Sequence, residues 1–107
     1  MLINGVTFPM ERIAEICRRY GAAKLSLFGS ILSDPSSDGR YGFRPSSDVD
    51  ILVEFDSATR IGLIGLASMD ADLSDAIGRA VDLRTAGDLS RYFRDEVVTH
   101  ARLLHAA

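Results

Sequence analysis

An α/β domain is the fold class that the order of residues predicts, and three features carry it: a helical stripe ahead of Gly21, an alternating strand over 48–55, and a short apolar strand at 80–84 that follows a further helical stretch. The 107 residues suit one domain, 1–107, long enough to bury a core without disulfide or metal staples. A hydrophobic share of 47% with 25% charged residues is ordinary globular composition and excludes a disordered or fibrous chain.

The first helix is expected from Pro9 to Tyr20, because Ile13, Ile16, Cys17 and Tyr20 recur at helical spacing. Pro9 suits its first turn and Gly21 the position just past its end. Lys24 to Phe28 then reads as a strand, with Leu25 and Leu27 alternating against Lys24 and Ser26, and it stops at Gly29-Ser30. Residues 33–47 are dense in Ser, Gly, Pro and Asp and predict a loop. Asp48 to Phe55 follows as the clearest strand: Val49, Ile51, Val53 and Phe55 share one face, and Asp48, Asp50, Leu52 and Glu54 the other.

A second helix is expected after Thr59, ending at Ile77 before Gly78, with Leu63, Leu66, Leu73 and Ile77 inward. Residues 80–84 form the third strand. Asp88 is placed as the cap of a last helix whose inward positions are Leu89, Tyr92, Phe93, Val97, Ala101 and Leu104. On this reading Tyr92 and Phe93 are core residues, not a base-stacking platform, and His100 and His105 are solvated on the same helix.

The formal net charge is −3 and Lys24 is the only lysine, so broad electrostatic binding to nucleic acid is not expected. The lone Cys17 leaves no internal disulfide and no Cys/His zinc set. No run approaches the roughly 18 apolar residues of a membrane span, and the first residues lack a signal-peptide pattern. A soluble, cytoplasmic protein in a reducing compartment is the expectation.

Three acids stand out. In Asp48-Val49-Asp50 the two carboxylates share a strand face, about 7 Å apart at their Cα atoms. Like charges at the edge of an apolar strand repel, and a divalent cation with hard oxygen ligands relieves that conflict. In isolation such a pair is more often a solvated loop end. Here, however, it opens its strand, where the acidic pairs of dehalogenase-type phosphatases follow theirs. Asp82 sits between Val81 and Leu83 and so faces away from them, as a third acid on a neighbouring strand would in a two-metal site. Gly29 permits close backbone approach to an anion, and Ser30 adds a hydroxyl donor, although a Gly-Ser pair after a strand is more often just a turn. Glu54 shares the acid face, but Leu52 separates it from the metal position.

Together LFGS (27–30), SDVDILVEF (47–55) and VDLRT (81–85) resemble the DNA polymerase β-type nucleotidyltransferase superfamily, and within it the minimal nucleotidyltransferases, also called MNT or MntA-like proteins. The likeness extends to RYFRDEVVTHARLLH, which resembles the family's closing helix. It implies a mixed β-sheet flanked by helices. It further implies that Gly29 and Ser30 grip the triphosphate of ATP, and that Asp48, Asp50 and Asp82 hold two Mg²⁺ ions and are the catalytic acids. The implied reaction moves AMP to an acceptor hydroxyl. The implied partner is a HEPN-domain toxin adenylylated on a tyrosine, in a hetero-oligomer where this chain is the antitoxin. Two departures stand against the family pattern. Residues 31–47 form a longer connection than usual, with the extra residues in PSSDGRYG, and many relatives carry an arginine near the position of Ser33. Arg40 and Arg44 are the candidates to replace its charge. These departures motivate an alternative, a weakly active or inactive module of the same fold that neutralises or assists its partner by binding alone.

Overall fold

The computed structural model describes residues 1–34 and 42–107. Arg40 and most of the PSSDGRYG stretch lie outside the described residues. Two short antiparallel strands, β1 (Leu2–Ile3) and β2 (Val6–Thr7), open the chain. Asn4 and Gly5 between them have φ of 49° and 79°, and two successive positive φ values give a turn whose twist matches a hairpin. The hairpin was not among the expected elements, although Asn-Gly is its sequence signal. It also reaches across the fold: the Asn4 side-chain amide donates to the carbonyls of Ile31 (2.8 Å) and Ser33 (3.1 Å).

Helix α1 (Met10–Tyr20) buries Ile13, Ile16 and Cys17 as the stripe required, and it ends where Gly21 turns left-handed and donates its N–H to Cys17. Burial pushes the Cys17 thiol up to about 11, so it packs as a small apolar side chain. Strand β3 (Ala22–Phe28) follows, then a short 3₁₀ turn over Gly29–Leu32, and later β4 (Val49–Phe55). Helix α2 (Leu63–Ile77) crosses over to β5 (Val81–Arg84), which lies parallel to β4. Such a crossover needs a long connection, and the helix supplies it.

The four-stranded sheet has the order β5–β4–β3–β6, with β4/β5 parallel and β3/β4 and β3/β6 antiparallel, so the mixed sheet with flanking helices is borne out. Leu25, Leu27, Val49, Ile51, Val53, Val81 and Leu83 meet Ile13, Ile16, Met69, Leu73 and Ile77 in one buried cluster. Polar contacts tie α1 to α2 at the rim, including Tyr20 Oη donating to Asp72 at 2.6 Å and the Arg12–Asp75 pair at 3.2 Å.

Four expectations are corrected. The last helix is short, α3 (Arg94–His100), and the chain then forms β6 (Arg102–Ala106) against the open edge of β3. Leu104 is therefore buried from a strand, and His105 also lies on that strand. Asp88 does not cap α3. Its carboxylate accepts bonds from the Thr85 backbone N–H and hydroxyl, both at 3.0 Å, across a 3₁₀ turn at Ala86–Asp88. Those bonds hold the Asp88 carboxyl below its usual range. Tyr92 and Phe93 are exposed, not core, because they precede the shortened helix. Leu63, expected inward, stands 86% exposed at the first residue of α2, where the helix has not yet reached the sheet.

Candidate active site

The site is built at one end of the sheet. Because β4 and β5 run parallel in the register Asp50↔Asp82, two acids that lie far apart in sequence occupy adjacent positions on the face away from α1 and α2. The alternation that buries Val49, Ile51, Val81 and Leu83 leaves Asp50 and Asp82 half-buried on the other side. Asp48 stands exposed one residue ahead of β4. Antiparallel pairing sets Phe28 opposite Asp50, so β3 ends beside the acids and delivers Gly29 to them. Gly29 has φ 74°, and a Cβ there would collide with Asp50 Oδ2. Glycine is required on both counts, for the left-handed backbone and for the space. The 3₁₀ turn beginning at Gly29 carries Ser30, and the Asn4 side chain braces its far end through Ile31 and Ser33.

The electrostatics mark the acids as a group under tension. Burial, then the Asp82 carboxylate, then Asp48, raise the Asp50 carboxyl above its ordinary range, while Arg84 works against the shift. Arg84 lies two residues after Asp82 on β5 and so shares its face. Its guanidinium grips Asp82 in a fork, Nε to Oδ1 at 3.1 Å and Nη2 to Oδ2 at 3.3 Å. This bonding raises the Arg84 pKa above its usual value. Among the described residues no three His, Cys, Asp or Glu side chains stand together as a ready cage. Arg84, which the sequence reading did not single out, already engages the third acid. Its signal was the D-x-R spacing on a strand, which places the two side chains on one face.

A divalent cation fits this donor set. The carboxylates are hard oxygen ligands, the half-buried Asp50 is unfavourably charged beside its neighbours, and Gly29 leaves open the space against Asp50 that any side chain would fill. Asp50, Asp82 and Asp48 are the side chains that would hold it.

Two hollows lie on this side of the sheet, and none of the three acids lines either of them. One of about 410 Å³ extends between Ser26 and Leu52 on the sheet and Val98 of α3 with Ala101 just past it, and Lys24 and Glu54 pair across its floor. The other, about 260 Å³, is an open hollow lined by Gly29, Val97 and His100. His100 is exposed, as expected, and Glu54 lies farther down the strand than Asp50, also as expected. Arg44, a candidate replacement for the absent arginine, is exposed, and its carbonyl accepts a bond from Arg79 at 3.0 Å.

A mixed sheet that sets two in-register acids beside a strand-ending glycine defines the nucleotidyltransferase class, and residues 10–104 match the nucleotidyltransferase domain family, to which this chain belongs. Within that family it resembles the minimal nucleotidyltransferases. A solved structure of a candidate minimal nucleotidyltransferase is 28% identical, with a TM-score of 0.64 over 86% of this chain and 85% of that one. A candidate protein adenylyltransferase of Methanocaldococcus jannaschii is 27% identical over 91 residues, 85% of this chain and 88% of that protein. The complex of a tri-AMPylated Shewanella oneidensis HEPN toxin with an MNT antitoxin includes a chain with a TM-score of 0.60 at 23% identity, over 92% of this chain and 70% of that one. Among the described residues no helix is long and apolar enough to cross a membrane.

Proposed function

We propose that this chain, acting as one domain over 1–107, is a Mg²⁺-dependent adenylyltransferase that moves AMP from ATP to a tyrosine hydroxyl of a HEPN-type toxin and thereby serves as its antitoxin. The observation that carries the reading is the Asp50↔Asp82 register beside Gly29, in a chain of the nucleotidyltransferase family. The relative whose complex holds a tri-AMPylated HEPN toxin supports the choice of acceptor, and the Methanocaldococcus jannaschii relative, a candidate protein adenylyltransferase, supports AMP as the group moved.

In this reading Gly29 and Ser30 receive the triphosphate through backbone amides and the serine hydroxyl. Asp48, Asp50 and Asp82 would hold two Mg²⁺ ions, which would neutralise phosphate charge and lower the pKa of the acceptor hydroxyl. The acceptor oxygen bonds to the α-phosphorus as the bond to pyrophosphate breaks. Pyrophosphate leaves with that electron pair, and the hydroxyl proton is released to solvent. Asp82, on the sheet's outer strand, is the acid this reading assigns to the acceptor side.

The test is incubation with labelled ATP, Mg²⁺ and the HEPN-type partner. Label is expected on the partner with the intact chain and is expected to vanish with Asp48→Ala. Absence of transfer by the intact chain would contradict the proposal.

A second reading, neutralisation by docking alone, is favoured by one observation: Leu63 and Ile64 are each 86% exposed at the start of α2, apart from the acids. If a chain carrying alanine at 48, 50 and 82 together still neutralised the partner fully, docking would be sufficient.

A further inference from the structure

Arg84 is the one basic side chain bonded to any of the three acids among the described residues. Fold stability does not explain its placement. It lies at the end of an edge strand, and its side chain and that of Asp82 are 46% and 37% exposed. Exposed pairs of this kind add little to stability and exchange easily. What the pair does accomplish is local. It gives Asp82 a cationic partner and lies within the field of Asp50, whose carboxyl two neighbouring acids disfavour. The same fork occupies one lone pair on each Asp82 oxygen and sets a positive charge where a divalent cation would approach.

We infer that Arg84 is a positioning residue that holds the Asp82 carboxylate in the metal-free protein and yields it to a divalent cation, so that metal occupancy at the third acid is set by competition with a guanidinium two residues away. The inference rests on the proposed metal site. Several consequences follow from the geometry. Arg84 stays on the acid face after release, because strand period fixes its direction. Competition lowers affinity for metal without nucleotide. When ATP is present its phosphates supply ligands to the metal and a counter-anion for the guanidinium, so the exchange is driven by the arrival of substrate. The chain thereby resists loading its acids with metal while no nucleotide is bound.

The experiment measures Mn²⁺ binding by electron paramagnetic resonance and calorimetry, with and without a non-hydrolysable ATP analogue and without any acceptor. Arg84→Gln is expected to bind Mn²⁺ about threefold or more tightly than the intact chain when nucleotide is absent, as removing a nearby like charge requires. With nucleotide the difference is expected to shrink or reverse. Arg84→Lys keeps the charge without the fork and is expected to fall between the two. Raising the salt concentration is expected to narrow the gap. Equal nucleotide-free affinities in the intact chain and Arg84→Gln, while both bind Mn²⁺ with nucleotide, would overturn the role of Arg84 and leave the nucleotidyltransferase reading standing. Failure of both chains to bind Mn²⁺ even with nucleotide would overturn both. A merely structural Arg84 predicts weaker binding in both variants, which also counts against the inference.

Discussion

The two faces of the β4–β5 pair share a backbone and differ in nearly every physical respect: Val49, Ile51, Val53, Val81 and Leu83 are buried against α1 and α2, whereas Asp50 and Asp82 remain half-exposed and repel each other. One face lowers the free energy of the fold, and the other raises it. Because strand period alone separates them, a substitution can address either face with little effect on its neighbour. Stability and chemistry are therefore separable residue by residue, except at Gly29, where they meet.

The sharpest way to break this comparison is Asp50→Asn. Transfer is expected to fall on the order of 10³-fold, as when a preorganised electrostatic group is removed from an active site. The fold should not weaken, because the native state disfavours this charge. The sign follows from linkage. The Asp50 carboxyl is raised above its ordinary 3.8, so the native state binds more protons than the unfolded state in the window above that value. Stability of the metal-free protein therefore declines as pH rises from there through the folded value, and Asp50→Asn should lack that component of the decline. Thermal unfolding in a chelator across that range checks it. A marked drop in the melting temperature of the variant would contradict the division of labour.

The converse substitution is Ile51→Ala, on the same strand one residue away. Deleting a fully buried isoleucine is expected to cost about 2–5 kcal/mol, read from denaturant unfolding. Transfer per folded molecule should persist, since the side chain faces the helices.

Gly29→Ala tests the junction. Its left-handed φ of 74° alone is expected to cost roughly 1–2 kcal/mol in a residue with a Cβ. The collision with Asp50 adds to that and should also suppress nucleotide binding, so both readouts move together. Loss of one without the other would show that the two faces do not meet here.

The smallest effect is expected at Leu63→Ser. This residue is 86% exposed, so unfolding should shift by less than about 0.5 kcal/mol and transfer should not change. If neutralisation of the partner nevertheless failed in this variant, the start of α2 would be a docking surface and the second reading would gain ground.

How much of this was legible beforehand follows the same division. The alternation over 49–55 gave both faces of β4 directly, because period two is a local property of strands. The stripe of α1 and its glycine stop were equally local. The ending of the chain was not. Val97, Ala101 and Leu104 fit a helical spacing, but the unpaired edge of β3 offers backbone bonds to Arg102–Ala106, and tertiary pairing overrides propensity there. Tyr92 and Phe93 lost their expected burial with that helix. The three acids and the glycine stand out as candidates from their motifs, yet no local rule fixes the register that sets Asp50 beside Asp82, since it depends on how α2 returns the chain. The Asn4-Gly5 turn and the Asp82-Arg84 pairing both carry a local signal, the Asn-Gly dipeptide and the D-x-R spacing on a strand.

The central claim is that parallel pairing of β4 and β5 creates a shared cation site, and anomalous diffraction from crystals grown with Mn²⁺ and a non-hydrolysable ATP analogue tests it most directly. The account predicts a manganese peak between the carboxylates of Asp50 and Asp82, with the triphosphate against Gly29 and the Arg84 guanidinium turned away from Asp82. Manganese bound elsewhere while Arg84 still grips Asp82, with nucleotide present, would contradict it.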